Sequence, residues 1–125
     1  MNTNKITHLI IGCAIEVHRT LGIGLLESAY EECLTFELKQ FGLDVKRQIQ
    51  VPVIYKEIQI DFGYRMDLLI ENTVIVEIKT VDYFLPVHEA QILTYLKLYK
   101  REIGLLINFN VTLLKHGIKR YILTP

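Results

Sequence analysis

Tyr64-Arg65-Met66-Asp67-Leu68-Leu69-Ile70-Glu71-Asn72-Thr73-Val74-Ile75-Val76-Glu77-Ile78-Lys79 is the stretch that decides the fold. Both halves alternate with a period of two, the repeat of a β-strand. In the first half Met66, Leu68 and Ile70 point one way, and Arg65, Asp67 and Leu69 the other. In the second half Val74, Val76 and Ile78 form the apolar set, while Ile75, Glu77 and Lys79 take the opposite face. Loop length decides which residues meet. A two-residue loop at Glu71-Asn72 would set Asp67 against Val76 and put Glu77 on the wrong face. A three-residue loop, Glu71-Asn72-Thr73, pairs Ile70 with Val74, Asp67 with Glu77 and Arg65 with Lys79. It also keeps the apolar faces together, as burial demands. Such a loop needs one left-handed residue, and Asn72 tolerates that conformation. The sequence therefore predicts the three-residue loop.

Two carboxylates opposed on a sheet repel each other, and one pKa is pushed up. A hard divalent cation removes both problems. Mg²⁺ typically takes one or two carboxylates, with waters and phosphate oxygens completing its shell. Lys79, on the same face as Glu77, would orient or deprotonate a water or hold a phosphate. Asp67, Glu77 and Lys79 thus read as a metal site for cutting phosphodiesters. The alternative on spacing alone is a solvated face with diagonal ion pairs, Asp67 to Lys79 and Arg65 to Glu77.

Around this hairpin, apolar residues Ile6, Leu9, Ile10, Cys13 and Val17 recur at helical spacing, so about residues 4 to 20 read as an amphipathic helix. Leu21-Gly22-Ile23-Gly24 breaks it. A second helix runs from Leu26 to Phe41 and stops at Gly42. Its stripe is Glu27, Tyr30, Leu34, Leu38 and Phe41, so Glu27 shares the face expected to pack on the sheet. Val45 to Ile60 reads as a meander of one bent strand or two. Pro86 suits the first turn of a third helix, Pro86 to Lys100, which presents His88, Gln91 and Tyr95 on one face. Ile103 to Asn108 and Gly117 to Leu123 read as strands. The order is ααβββ(β)αββ, an α/β domain with a mixed central sheet flanked by helices.

The 125-residue length fits one domain, and half the residues are hydrophobic. That apolar content leaves a homodimer open as the assembled state. Lysine and arginine number 14, as do aspartate and glutamate. A strongly basic, charge-driven nucleic-acid binder is therefore excluded. Lys46-Arg47, Lys97-Lys100-Arg101 and Lys115-Lys119-Arg120 are the local basic groups that could line a phosphate track. Cys13 and Cys33 lie in apolar helical patterns and read as buried free thiols. There is no zinc spacing, no signal-peptide pattern and no apolar run of membrane-spanning length, so a cytoplasmic protein with no membrane partner is expected.

Taken together these residues resemble the PD-(D/E)xK phosphodiesterase superfamily, with its restriction-endonuclease-like fold. Asp67 matches the isolated Asp, although the motif's Pro is absent before it, and Glu77-Ile78-Lys79 matches the ExK element. Gln91-x-x-x-Tyr95 looks like the QxxxY element of the exonuclease-like branches. Gly24-Leu25-Leu26-Glu27-Ser28-Ala29-Tyr30 resembles the signature of the small bacterial GxxExxY group. The resemblance runs from Glu16-Val17-His18 through Asn108. It implies a Mg²⁺- or Mn²⁺-dependent nuclease acting on DNA or RNA. Glu27, Asp67 and Glu77 would face the metal, Lys79 and Gln91 would be catalytic, and Arg65, Tyr30 and Tyr95 would support them. Two other readings stand beside it: a nucleic-acid-binding module of the same fold with little catalysis, and an oligomeric structural protein. Fold alone does not decide among them.

Overall fold

The hairpin at the centre takes the three-residue loop. In the computed structural model, which describes residues 1–124, Ile70 pairs with Val74, Leu69 with Ile75 and Leu68 with Val76. The turn needs two left-handed residues rather than one: Glu71 (φ 52°) joins Asn72 (φ 53°). Arg101 holds it from outside, its guanidinium donating to Asn72 O at 2.8 Å and Asn72 Oδ1 at 2.7 Å.

The elements are α1 (Thr3–Leu21), α2 (Glu27–Gln40), β1 (Val45–Gln50), β2 (Val53–Tyr55), β3 (Ile58–Ile60), β4 (Arg65–Ile70), β5 (Val74–Lys79), α3 (Pro86–Tyr99), β6 (Ile103–Asn108) and β7 (Ile118–Ile122). A short 3₁₀ turn, Leu114–Gly117, precedes β7. Asn2 caps α1 by accepting the Lys5 N–H at 2.8 Å. Pro86 opens α3, where the Leu85 N–H donates to His88 Nδ1 at 3.0 Å, so His88 serves as a cap.

The main sheet has the order β1-β4-β5-β6-β7. It is antiparallel except for β5 and β6, which run parallel and are joined through α3. Ile6, Ile10, Cys13 and Val17 of α1, with Tyr30, Leu34 and Leu38 of α2, pack on Leu68, Ile70, Val74, Val76, Ile78, Leu105 and Ile107. Tyr95 and Leu96 of α3 pack on the other face with Met66, Leu69 and Ile75. The result is a mixed sheet between two helical layers, as the sequence predicts.

Several local expectations are corrected. The Val45–Ile60 meander is three strands, and five strands rather than three or four precede α3. Left-handed Gln48 (φ 49°) interrupts β1, and Lys56 (φ 55°) turns β2 into β3, which form a separate two-stranded sheet. Met66 leaves the face of Leu68 and Ile70, because regular pairing stops on both sides of the intervening Asp67. Phe41 falls beyond the last helical residue and is exposed. Both thiols are free, but Cys33 is only half-buried. No helix among the described residues is long and apolar enough to cross a membrane.

Candidate active site

Asp67 marks the place where the sheet opens. The β1 ladder pairs Arg47 with Leu68 and Ile49 with Met66 but skips Gln48 and Asp67. The β5 ladder ends one residue before Asp67 would meet Glu77. In the gap the two carboxylates replace the missing backbone bonds. The Asp67 N–H donates to Glu77 Oε2 at 2.7 Å, and the Ile78 N–H donates to Asp67 Oδ2 at 2.8 Å. Each acid is therefore fixed by the strand opposite, which is the pairing the three-residue loop demands.

The electrostatics are those of a compressed pair. Glu77 is 3% exposed, and burial together with the Asp67 charge pushes its pKa up to about 8. Burial also raises Asp67, against the pull of the Ile78 N–H, Lys79 and Gln48. Lys79 favours the ionised form of both acids, and its backbone carbonyl accepts the Phe109 N–H at 2.9 Å. Among the described residues no ion pair joins Asp67 to Lys79 or Arg65 to Glu77. With Glu77 buried, the alternative of a solvated, ion-paired face does not describe this site.

Tyr95 packs beside the pair from the α3 layer, against Met66, Leu69 and Ile75. It is 4% exposed, and burial plus the charges of Glu77 and Asp67 push its hydroxyl up to about 12. Gln91, one turn earlier on α3, is half-buried in the adjoining groove. Arg65 is exposed at the start of β4. Tyr30 acts at a distance: its hydroxyl donates to Gly22 O at 2.7 Å, and its ring stacks on Phe109 at 4.4 Å. It thereby fixes the loop that leads into Glu27.

Glu27 is exposed, and its Oε2 accepts the Thr80 N–H at 3.0 Å, one residue beyond Lys79. It braces the end of β5. Among the described residues no three His, Cys, Asp or Glu side chains form a ready metal cluster. The acid of α2 that is linked to Asp67 is instead Glu31, 6% exposed. Gln48 Nε2 donates to Glu31 Oε1 at 2.7 Å and to Asp67 Oδ1 at 3.3 Å, and Arg47 pairs with Glu31 at 3.0 Å. Glu31 lies one turn after Glu27, so helical spacing carried a signal for it. Gln48 had none, because its reach depends on a left-handed backbone. Asn108 was also missed. Buried at the end of β6, it accepts the Val81 N–H at 3.1 Å and donates to Val81 O at 2.7 Å, pinning the chain after Lys79.

The donor set suits a hard cation. Among the described residues Glu77 Oε1 accepts no hydrogen bond and Asp67 Oδ1 accepts only the Gln48 amide at 3.3 Å, so each acid keeps a lone pair for a ligand. Two carboxylates are the number Mg²⁺ commonly takes from a protein.

A family model for the PD-(D/E)XK nuclease superfamily matches residues 4–121. The chain belongs to that superfamily. Membership implies a nuclease-type function, with nucleic acid as the implied substrate class and a divalent metal as the superfamily's general cofactor. No curated protein matches this PD-(D/E)XK chain. The crystal structure of SSO0001 is similar over 93% of this chain and 76% of its own, at 20% identity and a TM-score of 0.44, a likeness too loose to add more.

Proposed function

We propose that Asp67 and Glu77 hold one Mg²⁺ or Mn²⁺ ion and that the protein hydrolyses phosphodiesters of nucleic acid. The observation that carries this reading is the pair itself: buried Glu77 and half-buried Asp67, each held by a backbone N–H of the opposite strand, with Glu77 Oε1 unbonded and Asp67 Oδ1 touched only by the Gln48 amide. Such a pair is costly unless a cation or a proton sits between the charges. A bound divalent ion supplies Lewis acidity and lowers the pKa of an attacking water.

The chain's own residues do the rest. Near neutral pH the pair retains a proton on Glu77, and that proton must leave before the site is fully charged. Lys79 stabilises the ionised acids and presents an ammonium to the phosphate or its attacking water. Water forms a bond to phosphorus and gives up a proton to solvent, the ester P–O bond breaks, and the leaving oxygen takes up a proton from solvent. Gln48 holds Asp67 against Glu31, while Glu27 and Asn108 fix the backbone beyond Lys79. Gln91 and Tyr95 support the substrate from α3, and Arg65 clamps a phosphate at the open edge. The Gly24–Tyr30 string supports placement in the GxxExxY group.

Pure binding is disfavoured by the cations. Arg47 is paired with Glu31 and Glu32, Lys119 with Glu89, and Arg101 holds the hairpin turn, so the three basic groups do not form one free track. The test is cleavage of single- and double-stranded DNA and RNA with Mg²⁺ or Mn²⁺, beside Asp67→Ala and Lys79→Ala controls. Wild-type cleavage that both substitutions abolish is expected. Equal activity in all three proteins would reject the reading.

A further inference from the structure

Between β3 and β4 the chain returns to the main sheet through one bond, Val51 N–H to Tyr64 O at 2.8 Å. The β2–β3 arm therefore stands off the sheet and leaves an open groove of about 630 Å³ against α3. Val53, Ile54 and Tyr64 form one wall, and Gln91 and Thr94 the other. Tyr95 lines this groove and packs on Met66, the neighbour of Asp67, so the groove lies on the side of the sheet next to the acid pair.

We propose that this groove receives the unpaired bases of a single-stranded nucleic acid whose backbone crosses the Asp67–Glu77 pair. The proposal rests on the nuclease reading and names its substrate class. Three features carry it. The groove is lined mainly by apolar side chains, with the Gln91 amide and the Thr94 hydroxyl on its α3 wall, the character of a site for a flat polar ring. Tyr64 of the groove wall is 46% exposed and meets the 68% exposed Phe62 edge-on at 6.4 Å, which leaves ring surface for stacking. The chain is also neutral, with 14 charges of each sign, so phosphate contacts alone supply little affinity. Stacking then has to contribute, and only unpaired bases offer their faces. Lys97, which lines the groove, supplies a cation for the trailing phosphate.

The test is fluorescence anisotropy of the full chain with chelator present, using a labelled 12-nucleotide oligothymidylate and a labelled 12-base-pair duplex. The single strand is expected to bind at least about tenfold tighter than the duplex. Base–aromatic stacking predicts that Tyr64→Ala weakens single-strand binding roughly five- to a hundredfold and leaves the duplex unchanged. Thr94→Trp, at an exposed helical position, fills the groove and should act in the same way, which covers a folding failure of the first variant.

Equal affinity for both nucleic acids, no binding of either, or wild-type single-strand affinity in a folded Thr94→Trp protein would overturn the proposal. So would a dimer in sedimentation that Thr94→Trp dissociates, because the groove would then hold a second copy. Cleavage with Mn²⁺ is scored separately. Cleavage without strand preference rejects the groove and keeps the nuclease, while selective binding without cleavage does the reverse.

Discussion

Replacing buried Glu77 by Gln removes one charge from the acid pair and keeps both its volume and an oxygen to accept the Asp67 N–H. In the metal-free protein the Glu77 pKa stands at about 8 against an ordinary 4.5. This folded acid therefore binds more protons than the unfolded chain across that window. Its presence makes stability fall as pH rises from about 4.5 to about 8, with no further loss above. At roughly 1.4 kcal/mol per pH unit the full penalty is about 5 kcal/mol, and water entry and relaxation bring the measurable part to roughly 2–3 kcal/mol. Glu77→Gln should match wild type near pH 5 and exceed it at pH 8.5 by about that amount, or about 6–12 °C in Tm. Urea and thermal unfolding in chelator, at half-unit steps between those limits, measure it. Parallel profiles for the two proteins, or a wild type that gains stability toward pH 8, would refute the reasoning.

Other substitutions probe the supports. Asn108→Ala leaves the Val81 and Asn110 N–H groups without their acceptor and Val81 C=O with only the Asn110 amide at 3.3 Å, and should cost about 2–4 kcal/mol in urea unfolding. Gly117→Ala drives a Cβ into the backbone carbonyl of Asn108 and should cost about 3 kcal/mol or more. Gly104→Ala meets side-chain atoms of Ile92 and Leu96 rather than backbone and should cost about 1 kcal/mol; equal costs for the two glycines would contradict this packing. Gln48→Leu cuts the link from Glu31 to Asp67. It should lower Mn²⁺-dependent cleavage about tenfold, as expected when a support behind a metal ligand is lost, while Tm moves little.

The hairpin and its carboxylate pairing were legible because period-two patterning and burial permit one register. The helices were legible from apolar spacing, and Pro86 and Gly42 mark two of their ends. What stayed hidden depends on backbone that side-chain patterns do not encode. The left-handed Gln48 and the lapse of pairing at Asp67 turn Met66 to the α3 face and bring Gln48 under Glu31. Alternation alone predicts neither. The detached β2–β3 arm was hidden for a similar reason, since its strands are as apolar as those of a central sheet but three residues long. The sequence singled out Glu27 through its motif. The structure shows Glu27 bracing Thr80 and Glu31 linked to Asp67, a difference of one helical turn.

The most direct test of the metal site is a crystal structure of the protein grown at pH 8 or above and soaked in Mn²⁺, read by anomalous scattering. One Mn²⁺ peak is expected between Asp67 and Glu77, with metal–oxygen distances of about 2.0–2.6 Å. A fully occupied Mn²⁺ site elsewhere, with the Asp67–Glu77 gap empty, would contradict the account.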